Sequence, residues 1–425
     1  MGSVENEMCE MKDSGIEWIG KIPSTWSTSK LKYLGTYING YAFKPDDWGD
    51  CGKRIIRIQD LTRSNDNPNY YDGTIPSKYE INNGDILVSW AATLDAFIWK
   101  KGPGLLNQHI FKAIPQTDII AYDYFFWMIK EAMKNMNNDN KHGIFMQHVT
   151  LDVFNNFAIP LPSLEEQQRI ANFLKVKCEE IDAVLVRTRA SIEEYKKLKQ
   201  AVITQAVTKG IHGKRPMKDS GVEWIGSIPE DWRIFRVANL YQEASDKGND
   251  ELPILTVSIN SGVSDRELSD EESERVFVRS EDRSKYKRVQ PGDLVYNMMR
   301  AWQGAFGAVR VDGMVSPAYV VARPMKQLDS RYVEYLFRTP EAIEEMHRYS
   351  YGVADFRLRL YWPQFRNIRM CVPSYEEQVE IADYIDEKVQ EILALIRKKE
   401  QYLVELENYK RSLIYEYVTG KKEVL

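Results

Sequence analysis

The chain contains its own sequence twice. The stretch from Met11 to Trp26 returns from Met217 to Trp232 with twelve of sixteen positions identical, at an offset of 206. A second echo turns Pro162-Ser163-Leu164-Glu165-Glu166-Gln167 into Pro373-Ser374-Tyr375-Glu376-Glu377-Gln378, at an offset of 211. Between the echoes the halves have drifted far apart. A repeated frame around divergent inserts predicts two different surfaces presented in one fixed geometry. That pattern points to recognition of a two-part target.

Bulk properties narrow the class. With 425 residues the chain holds two to three domains, and 43% hydrophobic residues suffice for cores. No apolar run approaches the length of a membrane span. The segment Met1 to Glu7 lacks a basic region followed by an apolar one, so it does not read as a secretory signal. Cys9, Cys51, Cys178 and Cys371 are scattered and form no C-x-x-C pair. This argues against a disulfide framework or a cysteine zinc site and predicts a cytoplasmic protein. The net charge of −5 is poor bulk evidence for a nucleic-acid binder. Its distribution is more informative. Arg275, Arg279, Arg283, Lys285, Lys287, Arg288, Arg300 and Arg310 are offset only by Glu281, Asp282 and Asp293. Arg348, Arg357, Arg359, Arg366 and Arg369 crowd a second stretch. Charge clusters alone describe a solvated face.

Ser163 and Ser374 each precede a glutamate, Glu166 or Glu377, by three residues. This spacing predicts a capping box, in which hydroxyl and carboxylate each satisfy a backbone N–H. Long helices follow. In the first, the a and d positions read Leu174, Cys178, Ile181, Leu185, Thr188, Ile192, Tyr195, Lys199 and Val202. In the second they read Ile385, Val389, Ile392, Ile396, Lys399, Leu403, Leu406, Lys410 and Leu413. The polar exceptions fall at matching places. A seven-residue period held this long describes a coiled-coil seam. Gly210 and Gly420 stop the helices. About 45 residues at 1.5 Å each give a rod on the order of 65–70 Å. The simplest way to bury both stripes is against each other. Chain order makes the pair antiparallel, with a globular segment at either end. The start of the chain is then expected near the end of the second helix.

The globular segments mix short β-branched runs with turns, and an α+β domain is expected in each half. The boundaries are residues 1–162 for the first recognition domain with its frame, 163–210 for the central helix, 211–373 for the second domain and 374–425 for the last helix. Ile86-Leu87-Val88 and Leu294-Val295-Tyr296 read as strands entered from Gly-Asp turns. Arg54 to Ile58 and Leu252 to Val257 are also strand-like. Tyr122 to Met136 and Arg331 to His347 are expected to be helices.

Catalytic motifs are sparse. Asn67-Pro68-Asn69-Tyr70 is one residue from the Asn-Pro-Pro-aromatic motif of amino-methyltransferases, but it sits in a polar turn-rich stretch without a glycine-rich cofactor loop, and reads as a loop. Gly49 to Arg54 is too short for a phosphate-cradling P-loop. His142 and His148 are poorly spaced for one helical face, and no metal site is predicted. What remains resembles a reading surface. In the first half it comprises Ser89, Trp90, Thr93, Asn107, Gln108 and His109, with Lys44, Arg57 and Gln147. In the second it comprises Asn297, Arg300, Trp302, Gln303, Arg357, Arg359 and Tyr361. Arginine pairs with guanine O6 and N7, Asn and Gln pair with adenine, and Lys and Arg neutralise phosphates. The plain alternative is that Trp90, Trp302 and Tyr361 are core aromatics.

These features resemble one family. The duplicated Asp13-Ser14-Gly15-Ile16-Glu17-Trp18-Ile19-Gly20, the Pro-x-Trp after it, and the Pro-Ser-x-Glu-Glu-Gln leading to a helix that ends in Ala206-Val207-Thr208-Lys209-Gly210 are similar to specificity subunits of type I restriction-modification systems. The resemblance spans nearly the whole chain. It implies two target-recognition domains, each reading half of a bipartite double-stranded DNA site, with the helices fixing the gap. Half-sites about one helical turn apart would suit such a rod. The resemblance further implies two modification subunits that carry S-adenosylmethionine and methylate adenine, and restriction subunits driven by ATP with magnesium. It implies that this chain performs no chemistry and holds no cofactor. Base-contacting residues do not carry over from the family, because recognition domains vary. Two other readings compete. One is a non-catalytic coiled-coil scaffold whose end domains bind proteins. The other is a self-contained methyltransferase, which binding of S-adenosylmethionine by this chain alone would support.

Overall fold

The computed structural model describes residues 10–62, 67–139, 149–249, 251–259, 261–268, 285–352 and 357–424. The chain divides into two compact units, Met1–Thr188 with Tyr402–Leu425, and Arg189–Gln401. Each is an α+β domain carrying a share of both long helices.

The duplicated frame folds the same way twice, for local reasons. In the first unit strands Met11–Asp13 and Lys21–Pro23 pair antiparallel. Between them the Asp13 Oδ1 accepts the Gly15 N–H at 2.9 Å, and the Ser14 Oγ accepts the Ile16 N–H at 3.0 Å. In the second, Asp219 takes the Gly221 N–H at 3.0 Å and Ser220 the Val222 N–H at 3.1 Å. Short polar side chains that bond their own backbone two residues on make such turns. Gly15 and Gly221 have φ of +69° and +67°, a region that glycine enters without strain. The recurrence of Asp-Ser-Gly is thus a turn requirement.

Each domain is built on a four-stranded antiparallel sheet of one order. The first runs Gly35–Asn39, Ile110–Pro115, Ile86–Ser89, Asp95–Ile98; the second runs Tyr241–Ala244, Tyr319–Pro324, Leu294–Asn297, Phe306–Ala308. The Gly-Asp turns enter their expected strands, and Asp85 and Asp293 each accept a backbone N–H three residues back. A smaller sheet in the first unit pairs Lys53–Ile56 parallel with Gly104–Leu106. In the second unit the matching antiparallel pair, Lys287–Val289 with Gly313–Val315, is kept, but the parallel pairing is reduced to an isolated bridge between Ile254 and Met314. The expected strand from Leu252 to Val257 is therefore mostly irregular, and only Val257–Ser258 is regular. Tyr122–Asp139 is helical. The expected helix from Arg331 to His347 is instead two, Ser330–Phe337 and Pro340–Arg348. Pro340 has no N–H to give and pushes Thr339 out of the helical region, so the chain restarts with Thr339 as the cap of the second helix.

The long helices are Leu164–Lys209 and Tyr375–Val418. Each serine caps its helix, with N–H to Oγ distances of 3.3 Å at Ser163 and 3.2 Å at Ser374. The reciprocal glutamate bond of the expected capping box is made at neither helix. The Glu377 carboxylate is taken by Arg215 and by the indole N–H of buried Trp232, at 2.5 and 2.9 Å. Gln167 and Gln378 close each motif. Gln167 is fully buried; it donates to the Ile119 and Pro162 carbonyls at 3.2 and 2.9 Å and accepts the Ala121 N–H at 2.7 Å. Gln378 donates to the Pro373 carbonyl at 3.1 Å and accepts the Asp329 N–H at 3.0 Å. The glutamine thus fastens the helix start to the domain helix beside it. A tyrosine repeats the trick at the helix end. The Tyr124 hydroxyl donates to the Val418 carbonyl at 3.2 Å, and the Tyr332 hydroxyl to the Val207 carbonyl at 3.1 Å.

The predicted seam is buried. In the first unit Leu174, Ile181 and Leu185 join the core, with Leu403 and Leu406 packed against it. In the second, Ile385 is core and Ile192, Ile392 and Ile396 are buried, with Tyr195 half-buried. Within the first unit Phe173 meets Tyr417 with ring centroids 4.4 Å apart, and Asp182 pairs with Lys410 at 2.6 Å. Rising numbers on one helix meet falling numbers on the other, so the pair is antiparallel. In the second unit the Lys399 ammonium lies 5.6 Å from the Tyr195 ring centre. Both polar exceptions on the second helix therefore have partners. The frame also meets the end of that helix. The Tyr415 hydroxyl and the Lys421 ammonium donate to the Trp18 and Ile19 carbonyls at 3.3 and 2.8 Å. The first copy of the frame lies against the end of the second helix, as chain order requires.

Candidate nucleic-acid interface

In the first unit the sheet order brings two predicted segments to one end. Ser89 pairs with Ile110, which sets the Ser89–Thr93 turn beside the Asn107–His109 turn. The Trp90 N–H faces the His109 carbonyl at 3.4 Å, and the Trp90 carbonyl accepts the Val149 N–H at 3.0 Å. Trp90 stacks on Phe111 with centroids 5.7 Å apart and meets the edge of His109 at 5.4 Å. It is half-buried and rests on the core, so the core-aromatic reading holds for most of its ring. His109 and Thr93 are exposed; Gln108 is half-buried, and its amide lies 3.4 Å from the His109 ring nitrogen. Asn107 turns its oxygen back to the Gln108 N–H at 2.8 Å. Ala92 has φ of +60°, a left-handed conformation that costs a residue with a Cβ about 1 kcal/mol. The turn is held in a shape that its sequence does not favour.

The small sheet carries a second cluster. Exposed Lys44 precedes the turn Pro45–Asp47, and its N–H caps Asp47 at 2.7 Å. The Arg57 guanidinium lies 4.8 Å from the Trp48 ring centre and donates to Asn69 at 3.0 Å. Stacking on an indole while bonded to an amide fixes the plane of the arginine fork. Asn67 to Asn69 is a loop, as expected, and its work here is to orient Arg57.

The second unit repeats the platform with other side chains. The Asn297–Gln303 turn follows the strand equivalent to Ile86–Ser89. Met298 stands where Trp90 does: its N–H faces the Ala318 carbonyl at 3.4 Å, and its carbonyl accepts the Leu360 N–H at 2.8 Å. The Trp302 indole N–H donates to the Met299 carbonyl at 3.1 Å, and the ring meets His347 edge-on at 5.6 Å. Arg300 is half-buried and Gln303 exposed. Burial raises the Tyr319 phenol, against which the Arg300 charge acts. Burial also lowers Lys287, whose ammonium donates to the Tyr319 carbonyl at 2.8 Å. Arg357 and Tyr361 are exposed and Arg359 is half-buried.

Two predicted readers are instead turn builders. Ser89 is fully buried and donates to the Ala91 carbonyl at 3.2 Å, and Asn297 is buried with its oxygen on the Met299 N–H at 3.0 Å. Both polar side chains close the backbone at the end of equivalent strands, where no base edge would reach them. Gln147 lies outside the described residues, as do Arg275, Arg279, Arg283, His142 and His148. Three exposed side chains escaped the sequence reading: Trp48, Met299 and Tyr351. Trp48 had a legible signal, a tryptophan in the polar run Pro45-Asp46-Asp47-Trp48-Gly49-Asp50. Among the described residues no group of three or more His, Cys, Asp or Glu could hold a metal ion, and no helix is long and apolar enough to cross a membrane.

Comparison with known proteins bears on this geometry. Residues 23–193 match the family model of the type I restriction modification DNA specificity domain. The type I restriction enzyme EcoBI specificity subunit of Escherichia coli is 24% identical over 428 residues, covering 93% of this chain and 88% of that subunit. The MjaVIII specificity subunit of Methanocaldococcus jannaschii is 25% identical, over 81% of this chain and 80% of its own length. Among solved structures, the HsdS subunit from Thermoanaerobacter tengcongensis aligns with a TM-score of 0.52 at 16% identity, covering 94% of this chain and 98% of that one. A chain from a type I R-M system, solved to explain complex assembly and conformational transition, aligns with a TM-score of 0.67 at 15% identity over 94% and 99% of the two chains. These structural likenesses speak for the fold.

Proposed function

We propose that this chain, a homologue of the type I restriction-modification specificity subunits, is the sequence-specific DNA-binding subunit of such a complex. Each unit reads one half of a bipartite duplex, and the antiparallel helices set the spacing between the halves. The observation that carries the reading is the repeated platform with unlike turns. One strand order and one set of turn hydrogen bonds present Trp90, Gln108 and His109 in the first unit, and Met299, Arg300 and Trp302 in the second. A scaffold would need no second, chemically different set of side chains at the same place on the frame.

In this proposal the chemistry belongs to partners. Two modification subunits bring S-adenosylmethionine and methylate adenine, and restriction subunits bring ATP-driven cleavage with magnesium. This chain contributes binding and register alone. The acidic total charge is tolerable if those partners help clamp the DNA.

The test is a map of methylated adenines in a genome expressing this chain with its neighbouring methylase gene. A bipartite motif is expected. Exchanging residues 12–160 for those of another specificity subunit should change one half of the motif and leave the other. A change in both halves, or no motif, refutes the proposal.

A further inference from the structure

Beside the Asn297–Gln303 turn the second unit carries a short paired segment whose two faces differ in character. Tyr351 and Arg359 exchange both backbone hydrogen bonds, each 2.9 Å, as directly opposed residues of an antiparallel pair do. Gly352 allows the strands to close, since a Cβ there would lie 2.6 Å from the Arg357 carbonyl oxygen. Successive side chains of an extended strand point to opposite faces. Leu358 and Leu360 are accordingly buried, at 8% and 0% exposure. Arg359 and Tyr361 take the other face, and Tyr351, opposite Arg359, shares it; Arg357 lies in a 3-10 turn before the extended stretch. Tyr351 and Tyr361 are 65% and 45% exposed. The Leu360 N–H on the Met298 carbonyl sets the pair against the turn, next to Met299, which is 39% exposed.

We infer that this pair is a ribbon that enters the major groove, with Arg359 as the reader of a guanine. The inference rests on the DNA-binding reading above. The major groove admits a two-stranded ribbon, and a guanidinium can bond O6 and N7 of guanine together. Arg359 has a defined backbone position from its two hydrogen bonds and a half-buried side chain on the face that also carries Tyr351 and Tyr361. Tyr351, Tyr361 and Met299 supply the apolar flank that a thymine methyl or a base edge requires. The guanidinium of Arg359 gives this face a positive charge, complementary to a polyanion. In the first half, the sequence position 211 before Arg359 is His148, so the two halves differ at this point of the frame.

The test uses the whole chain with its methylase subunits, mapping methylated adenines for Arg359→Lys and Arg359→Ala beside the unaltered chain. Lysine keeps the charge and loses the fork. Both variants are expected to relax one position of one half-site, with discrimination there falling about 10- to 100-fold, while the other half stays intact. The intact half reports that the protein is folded. If Arg359→Lys reads the full motif and Arg359→Ala weakens binding at all sequences alike, with a salt slope shallower by about one, Arg359 touches phosphate and the inference falls. If both variants keep the motif unchanged, the inference falls also. If the unaltered chain directs no bipartite motif, the DNA-binding reading falls and takes this one with it.

Discussion

Replacing Gln167 by methionine isolates the glutamine clamp. Methionine fills nearly the same volume, so no large cavity opens. What is lost is three hydrogen bonds around a fully buried side chain, leaving the Ala121 N–H and the Ile119 and Pro162 carbonyls without that partner. An unpaired buried group costs about 1–3 kcal/mol, and two of these three bonds are only partly buried. The expected loss is therefore about 2–4 kcal/mol for the first unit. Gln378→Met removes two bonds and should cost the second unit about 1–3 kcal/mol. Native-state hydrogen exchange resolves the units. At a factor of ten per 1.4 kcal/mol, amides in Tyr122–Asp139 should exchange roughly 30- to 700-fold faster in Gln167→Met. Those in Ser330–Phe337 should respond to Gln378→Met instead. A loss under about 1 kcal/mol for Gln167→Met would show that the glutamine is not what fastens the helix start.

The seam and the thiols give further expectations. Leu174→Ala, at a fully buried position, should cost about 2–5 kcal/mol in urea unfolding, whereas Lys410→Ala should cost under about 1 kcal/mol because the Asp182 side it faces is half-exposed. A larger loss for the lysine would reverse the ranking of burial over charge in this helix pair. Burial pushes the Cys178 and Cys371 thiols up to about 11. The unfolded chain loses those protons first, near pH 8.5, so the stability they confer is complete below about 8.5 and declines as pH rises towards 11. Unfolding midpoints from pH 8 to 11 should show this, and Cys178→Ala should flatten its share. At pH 8, alkylation of the folded protein should reach exposed Cys51 and spare both buried thiols; rapid labelling of Cys178 would contradict its burial.

Much of the frame was legible because its rules are local. The Asp-Ser-Gly turns bond within three residues, the helix stops need a left-handed glycine, and the seam repeats every seven residues. Even the break at Thr339-Pro340 was written in the proline. The glutamines were not legible as clamps, since their partners Ile119, Ala121 and Asp329 lie some fifty residues away and only the packed domain brings them close. The reading surface was half visible. Donors and aromatics marked turns that the fold brings together at one end of each sheet, but sequence could not tell Ser89 and Asn297, which close the backbone, from Gln108 and Arg300 beside them. The alternation Leu358-Arg359-Leu360-Tyr361 was a signal for an extended stretch with one wet face, and Tyr351 could be assigned to that face only once its bridge to Arg359 was known.

The first unit is assembled from residues 10–188 and from Tyr402 onward, while the second is a single continuous stretch. On a ribosome the later-encoded half can therefore finish before the earlier one. Cys178, Leu174 and the frame carbonyls of Trp18 and Ile19 must wait for Leu413, Tyr415 and Lys421, more than 200 residues downstream. At about 5–20 residues per second those delays are roughly 10–80 s, a window in which the nascent amino-terminal half exposes an apolar strip to chaperones and to neighbouring chains.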